Sequence, residues 1–159
     1  MPNVMQAAHS VKRPRIRALT SRQAEFVLAR NSVARIAFQA NGRVELMPVH
    51  YAFVGGAIVG RISLGKKYLN WLVVKEVVLE VEEVQGLFDW RSVVMRGTVT
   101  LLRAHGGTDI ERDAFHKAVS AIRTLIPGAF TENDPTPDRR FVFRVEPTEL
   151  TGREAATKP

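Results

Sequence analysis

The 159-residue chain is 45% hydrophobic and 25% charged, which is typical of one folded domain with a sizeable core and excludes a disordered protein. It contains no cysteine, and this excludes disulfides, thiolate metal sites and cysteine nucleophiles. The formal net charge of +7 raises the question of a polyanionic partner.

The first predicted element is a flexible basic arm over residues 1–18, which show no hydrophobic periodicity. The other basic residues are scattered along the chain, and no helix-turn-helix, zinc-finger or RNA-binding motif is visible, so we disfavour nucleic acid as a partner. No apolar run is long enough to cross a bilayer, and the start lacks the apolar region of a secretory signal. We therefore expect a cytoplasmic protein with no membrane association.

A helix and a hairpin follow the arm. Thr20 and Gln23 have the spacing of a capping box and predict a helix that ends at Asn31. Residues 33–39 alternate between apolar and polar side chains, which predicts a strand. Asn41-Gly42 then predicts a tight hairpin turn.

The returning strand covers residues 44–53, and Gly55-Gly56 predicts a second hairpin into a strand over 57–63. A short amphipathic helix is predicted over 65–74. It is followed by an apolar strand over 77–84.

The last part of the chain predicts two more strands and a third helix. Residues 91–103 form a long strand rich in β-branched side chains, with a bend at Gly97. Thr108 and Glu111 repeat the capping-box spacing and begin the third helix, and residues 139–147 are the final strand. Six strands joined mostly by tight turns favour a closed antiparallel barrel, which also protects apolar strand edges.

The corner between the third strand and the second helix is unusually basic. Arg61 and Ser63 share one face of the strand, and Lys66 and Lys67 follow Gly65 directly. A hydroxyl and three cations in this arrangement suit a phosphate. A solvated basic turn explains the same spacing equally well, so the corner alone does not identify an anion site.

Pro48 and His50 lie in the middle of a predicted strand. Because proline has no N–H for the ladder, Pro48 predicts an edge, a bulge or an opening in the sheet. His50 is a candidate proton donor there, although a strand histidine is more often simply hydrogen-bonded or exposed. The remaining histidines show no metal-ligand spacing, and we expect no metal.

Two other patterns have structural explanations beside their functional ones. Glu80 and Glu82 share a strand face and would suit a pair of catalytic carboxylates, but the alternation favours a solvated outer face. Trp90 begins the long strand, a place typical of a core or a subunit interface. No serine lies in the turn that a hydrolase nucleophile requires.

Taken in order from about Leu19 to Arg153, these segments resemble the pyridoxamine 5'-phosphate oxidase-like family, the flavin-binding split barrels. The resemblance is carried by the leading helix, the strand ending in NGR, the MPV strand, RIS followed by GKK and a helix, EVEE, WRSVVMRG and the closing VEPTELTGRE. It implies a mainly β fold, a six-stranded antiparallel split barrel. It also implies a homodimer with two equivalent flavin sites at the subunit interface. The flavin-binding domain would cover residues 19–153, followed by a polar tail over 154–159.

The resemblance assigns cofactor contacts to three groups of residues. The flavin's ribityl phosphate would be held by Arg61, Ser63 and Lys67, supported by Lys66. The strand that lies against the isoalloxazine ring is matched by Met47, Pro48, Val49 and His50. The approach of the long strand to the cofactor is matched by Trp90, Arg91 and Ser92.

The sequence departs from the family pattern in places. Arg91 stands between Trp90 and Ser92 where relatives read Trp-Ser-Val, which turns Trp90 to the opposite strand face. Ser63 replaces the usual threonine and keeps its hydroxyl. The residues with which a true pyridoxamine phosphate oxidase binds its vitamin substrate are not recognisable, so we do not predict vitamin B6 synthesis.

The sequence therefore predicts an FMN-dependent oxidoreductase or reductase that acts on a small molecule. In such a protein the cofactor performs the chemistry, and we name no catalytic residue. The alternatives are an F420-dependent reductase and a non-catalytic flavin- or haem-binding module. A further alternative is polyanion binding through the basic arm.

Overall fold

The computed structural model describes residues 13–157, apart from the side chain of Lys66. This range contains eight strands and three helices. In chain order they are β1 (Arg15–Ala18), α1 (Ser21–Arg30), β2 (Val33–Ala40), β3 (Arg43–His50), β4 (Ala52–Val54), β5 (Ala57–Ile62), α2 (Lys66–Trp71), β6 (Glu76–Gly86), β7 (Asp89–Leu102), α3 (Asp109–Leu125) and β8 (Phe141–Ala156). No helix between residues 13 and 157 has both the length and the apolar character that a membrane span needs.

All the strands belong to one antiparallel sheet. Its order is β3-β2-β6-β7-β8-β5-β4, and β1 pairs separately with β8. The sheet curls around a core, and β3 and β4 end the hydrogen-bonded order. The predicted mainly β, antiparallel split barrel is thereby confirmed. The described residues contain eight strands where six were predicted, because β1 is added and the predicted strand over 44–53 divides into β3 and β4.

Both predicted hairpin turns are present. Asn41 and Gly42 join β2 to β3 with φ angles of 50° and 72°, and Gly55 and Gly56 join β4 to β5 with φ angles of 59° and 76°. Two successive residues with positive φ match the right-handed twist of the flanking strands, and glycine and asparagine tolerate that conformation best.

The apolar residues form two cores on opposite faces of β5. The larger core fills the barrel, where Ile58 and Ile62 pack with residues of β2, β6, β7 and α1. The smaller core lies under α3 and includes Val59, Ala118 and Ile122. Because side chains alternate along a strand, Arg61 shares the face of Val59 and points toward the smaller core.

Both capping boxes are confirmed. The Thr20 hydroxyl accepts a hydrogen bond from the N–H of Gln23 at 3.2 Å, and the Thr108 hydroxyl accepts one from the N–H of Glu111 at 3.2 Å. Helix α1 buries Ala24, Val27 and Leu28 against the barrel, as its apolar stripe predicts.

The predicted bend at Gly97 is a break in the β7–β8 ladder. The pairing register shifts between Arg96 and Gly97, which marks a β-bulge or a similar irregularity. The backbone of β8 lies so close that a Cβ atom on Gly97 would be 2.4 Å from the carbonyl oxygen of Glu146. Glycine therefore allows the two longest strands to curve together around the barrel.

Within residues 13–157, parts of the predicted flexible arm and of the predicted polar tail lie in strands. Residues Arg15–Ala18 of the predicted basic arm form β1, and the predicted tail continues β8 as far as Ala156. The two segments pair with each other, with Arg17 opposite Glu154. β1 has only four residues, all of them exposed, and it pairs with a segment at the other end of the described chain. No long alternating run in the sequence therefore marked it as a strand. The rest of the predicted arm and tail, residues 1–12 and 158–159, lies outside the described range.

Candidate cofactor site

The predicted phosphate corner lies where β5 leaves the sheet. Ile62, the last residue of β5, pairs with Phe141, the first residue of β8, and Ser63 follows directly. Helix α2 then begins at Lys66. Its far end is anchored by Trp71, which is fully buried with its ring centroid 5.6 Å from that of Phe38 and 5.2 Å from that of Phe143. The core therefore fixes the helix that carries Lys66 and Lys67.

Arg61 does not face the corner. Its guanidinium donates to the two carboxylate oxygens of Asp134 at 2.5 and 2.9 Å and to the hydroxyl of Thr136 at 3.0 Å. It also lies over the Phe130 ring, 5.1 Å from the centroid. The hydrogen bonds from Arg61 hold the pKa of Asp134 far below its ordinary value. Protein groups therefore already occupy the guanidinium of Arg61, and its contact with a phosphate stays a prediction.

Lys67 is in a different situation. It is partly buried, and within residues 13–157 it forms no ion pair with an acidic side chain. Burial, and then the nearby guanidinium of Arg139, lower the pKa of Lys67. Ser63 is also partly buried. Lys67 and Arg139 therefore lie near each other at this corner, which Ser63 enters directly after β5. Neither cation pairs with an acidic side chain within residues 13–157.

The strand predicted to face the ring is the edge strand β3, which pairs only with β2 in the sheet. Its position confirms that Pro48 marks an edge. Val49 is buried and Met47 is partly buried toward the barrel, whereas Pro48 and His50 are exposed on the outer face. A ligand can therefore reach Pro48 and His50 from outside the barrel.

Trp90, Arg91 and Ser92 begin β7, and the side chains of the last two have partners within the protein. Arg91 donates from Nε to Glu154 at 2.8 Å, and the Ser92 hydroxyl donates to Glu80 at 2.9 Å. Trp90 is partly buried, opposite Ala155 of β8. Hydrogen bonds from Arg91, and then from Arg17, lower the pKa of Glu154.

The carboxylates of Glu80 and Glu82 on β6 form ion pairs on the outer face of the sheet. Arg35 lies 3.4 Å from an oxygen of Glu80 and 2.7 Å from an oxygen of Glu82. Both glutamates are thus balanced by a cation on the neighbouring strand. This agrees with the predicted solvated face and leaves no pair of carboxylates poised for acid–base chemistry there.

One subunit does not bring the predicted residues together. Arg61 pairs with Val142, which pairs with Leu102 at the end of β7. Trp90 and Ser92 lie twelve and ten residues earlier on that strand, roughly 33–40 Å along its length at about 3.3 Å per residue. The phosphate corner and the start of β7 are therefore separated by most of the length of β7.

A groove of about 640 Å³ runs beside α1 at the end of the barrel that holds the start of β7. Phe26 and Phe53 supply its aromatic surface, and Arg17, Arg91 and Glu154 supply its charged surface. The groove gives the Arg91 end of the barrel a concave surface of ligand size.

Sequence reasoning missed Asp134 and Arg139. Asp134 belongs to a segment that reads only as a polar loop, whereas Arg139 reads as the first residue of the predicted last strand. Neither residue has a spacing that signals a site. A charge count offered the only hint, since Arg139 and Arg140 form a basic pair just before β8, as Lys66 and Lys67 form one at the start of α2. Asp134 and Arg139 come close to Arg61 and Lys67 because β5 pairs with β8.

Comparison with known structures supports the fold. A FAD-binding protein from Mesorhizobium loti is 26% identical, with 91% of this chain and 99% of that chain covered and a TM-score of 0.69. A FAD-binding protein from Mycobacterium smegmatis is 18% identical, with 86% and 98% covered and a TM-score of 0.64. A FAD- and heme-binding protein from Mycobacterium smegmatis is 16% identical, with 86% and 71% covered and a TM-score of 0.59. The last two similarities show the fold alone.

Comparison with sequence families covers nearly the whole domain. No curated protein matches the chain significantly. The model of the family described as pyridoxamine 5'-phosphate oxidase matches residues 20–154. The match runs from Thr20, the N-cap of α1, to Glu154 near the end of β8. The chain therefore belongs to the pyridoxamine 5'-phosphate oxidase family.

Proposed function

We propose that the protein binds a flavin, with FMN as the first candidate, and works as a flavin-dependent oxidoreductase on a small molecule. The observation that carries the proposal is the partly buried Lys67, which lies beside another cation instead of an acid. Such a cluster favours an anion that supplies the missing charge, and the phosphate of a flavin meets that need.

The residues at the corner fit a phosphate group. Ser63 offers a hydroxyl donor, and Lys67 offers a charged donor on a helix that Trp71 holds in place. When bound, the flavin supplies hydride or electron transfer, and the protein binds and orients it. His50 is exposed on the edge strand as a candidate hydrogen-bond donor toward the ring, and no residue is assigned a catalytic step.

The proposal includes a homodimer in which each site takes residues from two copies. Its support is the distance along β7, since one subunit keeps the phosphate corner far from Trp90 and Ser92. The outer face of β3 also presents Val44 and Leu46, which are 75% and 65% exposed. Covering this apolar edge with a second copy would remove it from water and protect an open strand.

The choice among cofactors belongs to experiment. FAD is a specific alternative because the 26% identical protein from Mesorhizobium loti is named as FAD-binding. A non-catalytic flavin- or haem-binding module is a second alternative, since one neighbour is named as binding both FAD and heme. F420 is a third alternative cofactor. The proposal also includes a cytoplasmic location.

The test begins with the cofactor that the protein carries. Protein isolated from its own host is denatured, and the released chromophore is identified by chromatography and mass. The apoprotein is then titrated with FMN, FAD and F420, and its mass in solution is measured with and without the ligand. We expect flavin in the isolated protein, tighter binding of FMN than of F420, and a dimer.

The matched variants are Lys67→Ala and Lys117→Ala. Lys117 is an exposed lysine whose ammonium pairs with Asp113 on α3, so its loss removes the same charge away from the corner. Lys67→Ala should weaken FMN binding by about 10- to 100-fold, as expected for a lost charged hydrogen bond, and Lys117→Ala should not. An apoprotein that takes up none of these cofactors would contradict the proposal.

A further inference from the structure

The loop between α3 and β8 is organised around the carboxylate of Asp134. Besides its bonds from Arg61, Asp134 accepts hydrogen bonds from the backbone N–H groups of Phe130 at 2.7 Å and Thr136 at 2.9 Å. The Asp134 side chain is only 3% exposed. A buried carboxylate with four donors gives this loop a defined shape.

That shape places the backbone of Arg139. Its N–H donates to the carbonyl of Thr136 at 3.0 Å, and its own carbonyl accepts from Arg61 at 3.4 Å. Two residues later, the Phe141 ring lies against the Tyr68 ring with a centroid distance of 4.2 Å. Since Tyr68 follows Lys67 on α2, the same packing sets Arg139 and Lys67 at one corner.

The charges at this corner are not balanced by the protein. Arg139 is partly buried and, like Lys67, forms no ion pair with an acidic side chain in the described part of the chain. Two like charges at a partly desolvated site repel each other. A doubly charged anion between Lys67 and Arg139 would offset this repulsion by accepting a charge-assisted hydrogen bond from each. The Arg139 guanidinium can donate two parallel hydrogen bonds to a phosphate.

We propose that Arg139, rather than Arg61, supplies the guanidinium for the phosphate group held at Ser63 and Lys67. Arg61 acts as a positioning residue: it holds Asp134 and the carbonyl of Arg139, and so holds the loop that presents Arg139. The inference rests on the proposed flavin function and names the residue that distinguishes a phosphorylated flavin from an unphosphorylated one.

The experiment compares FMN with riboflavin, which lacks the phosphate, in Arg139→Ala and Arg140→Ala. Arg140 is an exposed arginine next in sequence whose Nε donates to the carbonyl of Pro137 at 3.3 Å, so it is a matched control. We expect Arg139→Ala to weaken FMN binding by about 10- to 100-fold and to leave riboflavin binding unchanged. Arg139→Lys should keep part of the affinity, because it restores charge without the planar fork.

The positioning role has its own readout, the ratio of FMN to riboflavin affinity. Asp134→Asn, which keeps the side-chain volume, should lower that ratio in the wild-type background. It should not lower the ratio further once Arg139 is alanine, because the two changes act through one contact. A purely structural effect on the barrel would weaken both flavins together in both backgrounds and would overturn the positioning role.

Two results separate this inference from the proposed function. If FMN binds and Arg139→Ala binds it as tightly as Arg140→Ala does, the assignment of Arg139 is overturned while flavin binding stands. If the wild type binds no flavin, the proposed function fails, and the corner is tested with inorganic phosphate alone. Thermal stabilisation by phosphate that disappears in Arg139→Ala would then sustain the anion site, and equal stabilisation in both would overturn it.

Discussion

Arg61 and Asp134 form a buried bidentate ion pair that joins β5 to the loop after α3. Their side chains are 4% and 3% exposed, and the two guanidinium–carboxylate distances are 2.5 and 2.9 Å. A fork-shaped pair of this kind is specific in geometry, and removal of one partner leaves the other charged in a dry site. The pair therefore gives Arg61 a structural role in a place where the family resemblance suggested cofactor binding.

Arg61→Met should lower the melting temperature by on the order of 10 °C, because the Asp134 carboxylate loses its cation while it stays buried. Thermal unfolding followed by circular dichroism measures the change. The melting temperature of the double variant Arg61→Met/Asp134→Asn should fall by less than that of Arg61→Met, since no unpaired charge is then buried. If both variants have the melting temperature of the wild type, the ion pair contributes nothing to stability.

Tyr51→Phe should lower the free energy of unfolding by about 1 kcal/mol, the usual value for one hydrogen bond. The Tyr51 hydroxyl is buried and donates to the carbonyl of Leu28 at 2.7 Å, which ties β3 and β4 to α1. Denaturant unfolding at neutral pH measures the loss. An unchanged unfolding midpoint with an unchanged slope would show that water replaces the lost donor.

The same tyrosine predicts an alkaline loss of stability. Burial, and then the nearby Glu83 carboxylate, raise the pKa of Tyr51 above its ordinary value of 10.0. Above pH 10 the unfolded chain releases a proton that the folded protein keeps, so the free energy of unfolding falls as the pH rises toward the folded pKa. Tyr51→Phe should show a shallower decline over that window. An identical pH dependence in both proteins would contradict the assignment.

Arg91→Gln should make stability less sensitive to acid. Hydrogen bonds from Arg91, and then from Arg17, hold the pKa of Glu154 below its ordinary value of 4.5. A lowered pKa stabilises the fold above pH 4.5, and this contribution is lost as the pH falls through the folded pKa. The variant should melt below the wild type at pH 7, and the gap should narrow toward acid pH.

The control for Arg91 is Arg96→Gln on the same strand. Arg96 lies 3.5 Å from Glu149, with both side chains more than half exposed, so solvent screens the pair. Melting temperatures of both variants between pH 7 and acid pH provide the comparison. If the difference in melting temperature between Arg91→Gln and the wild type is the same at every pH, the effect of the substitution does not depend on the ionisation of Glu154.

Gly97→Ala should destabilise the barrel by about 2 kcal/mol, as overpacking usually does. The added Cβ would meet the carbonyl oxygen of Glu146 at 2.4 Å, and backbone cannot move aside as a flexible side chain can. Gly86→Ala is the control, because a Cβ there has open space around it. Equal unfolding free energies for the two variants would show that β8 relaxes without cost.

Short sequence patterns were enough to predict the local elements of this protein. Asn41-Gly42 and the threonine caps act through hydrogen bonds and φ angles of neighbouring residues, so short patterns were enough to predict them. Alternating strands predicted the barrel, and the order of the segments predicted the family that the residue 20–154 match confirms. These features depend on contacts within a few residues or on a pattern that the whole domain shares.

The contacts between charged residues became known from the fold and not from the sequence. Arg61 and Asp134 are 73 residues apart, and Arg17 and Glu154 are 137 apart. Nothing near Arg61 in the sequence distinguishes a phosphate ligand from half of a buried ion pair, because both need a cation on the same strand face. The pairing of β5 with β8 turned Arg61 toward the loop and brought Arg139 toward Lys67. Long-range pairing is set by the packing of the whole barrel, and for that reason the residues of the candidate site became visible only in the fold.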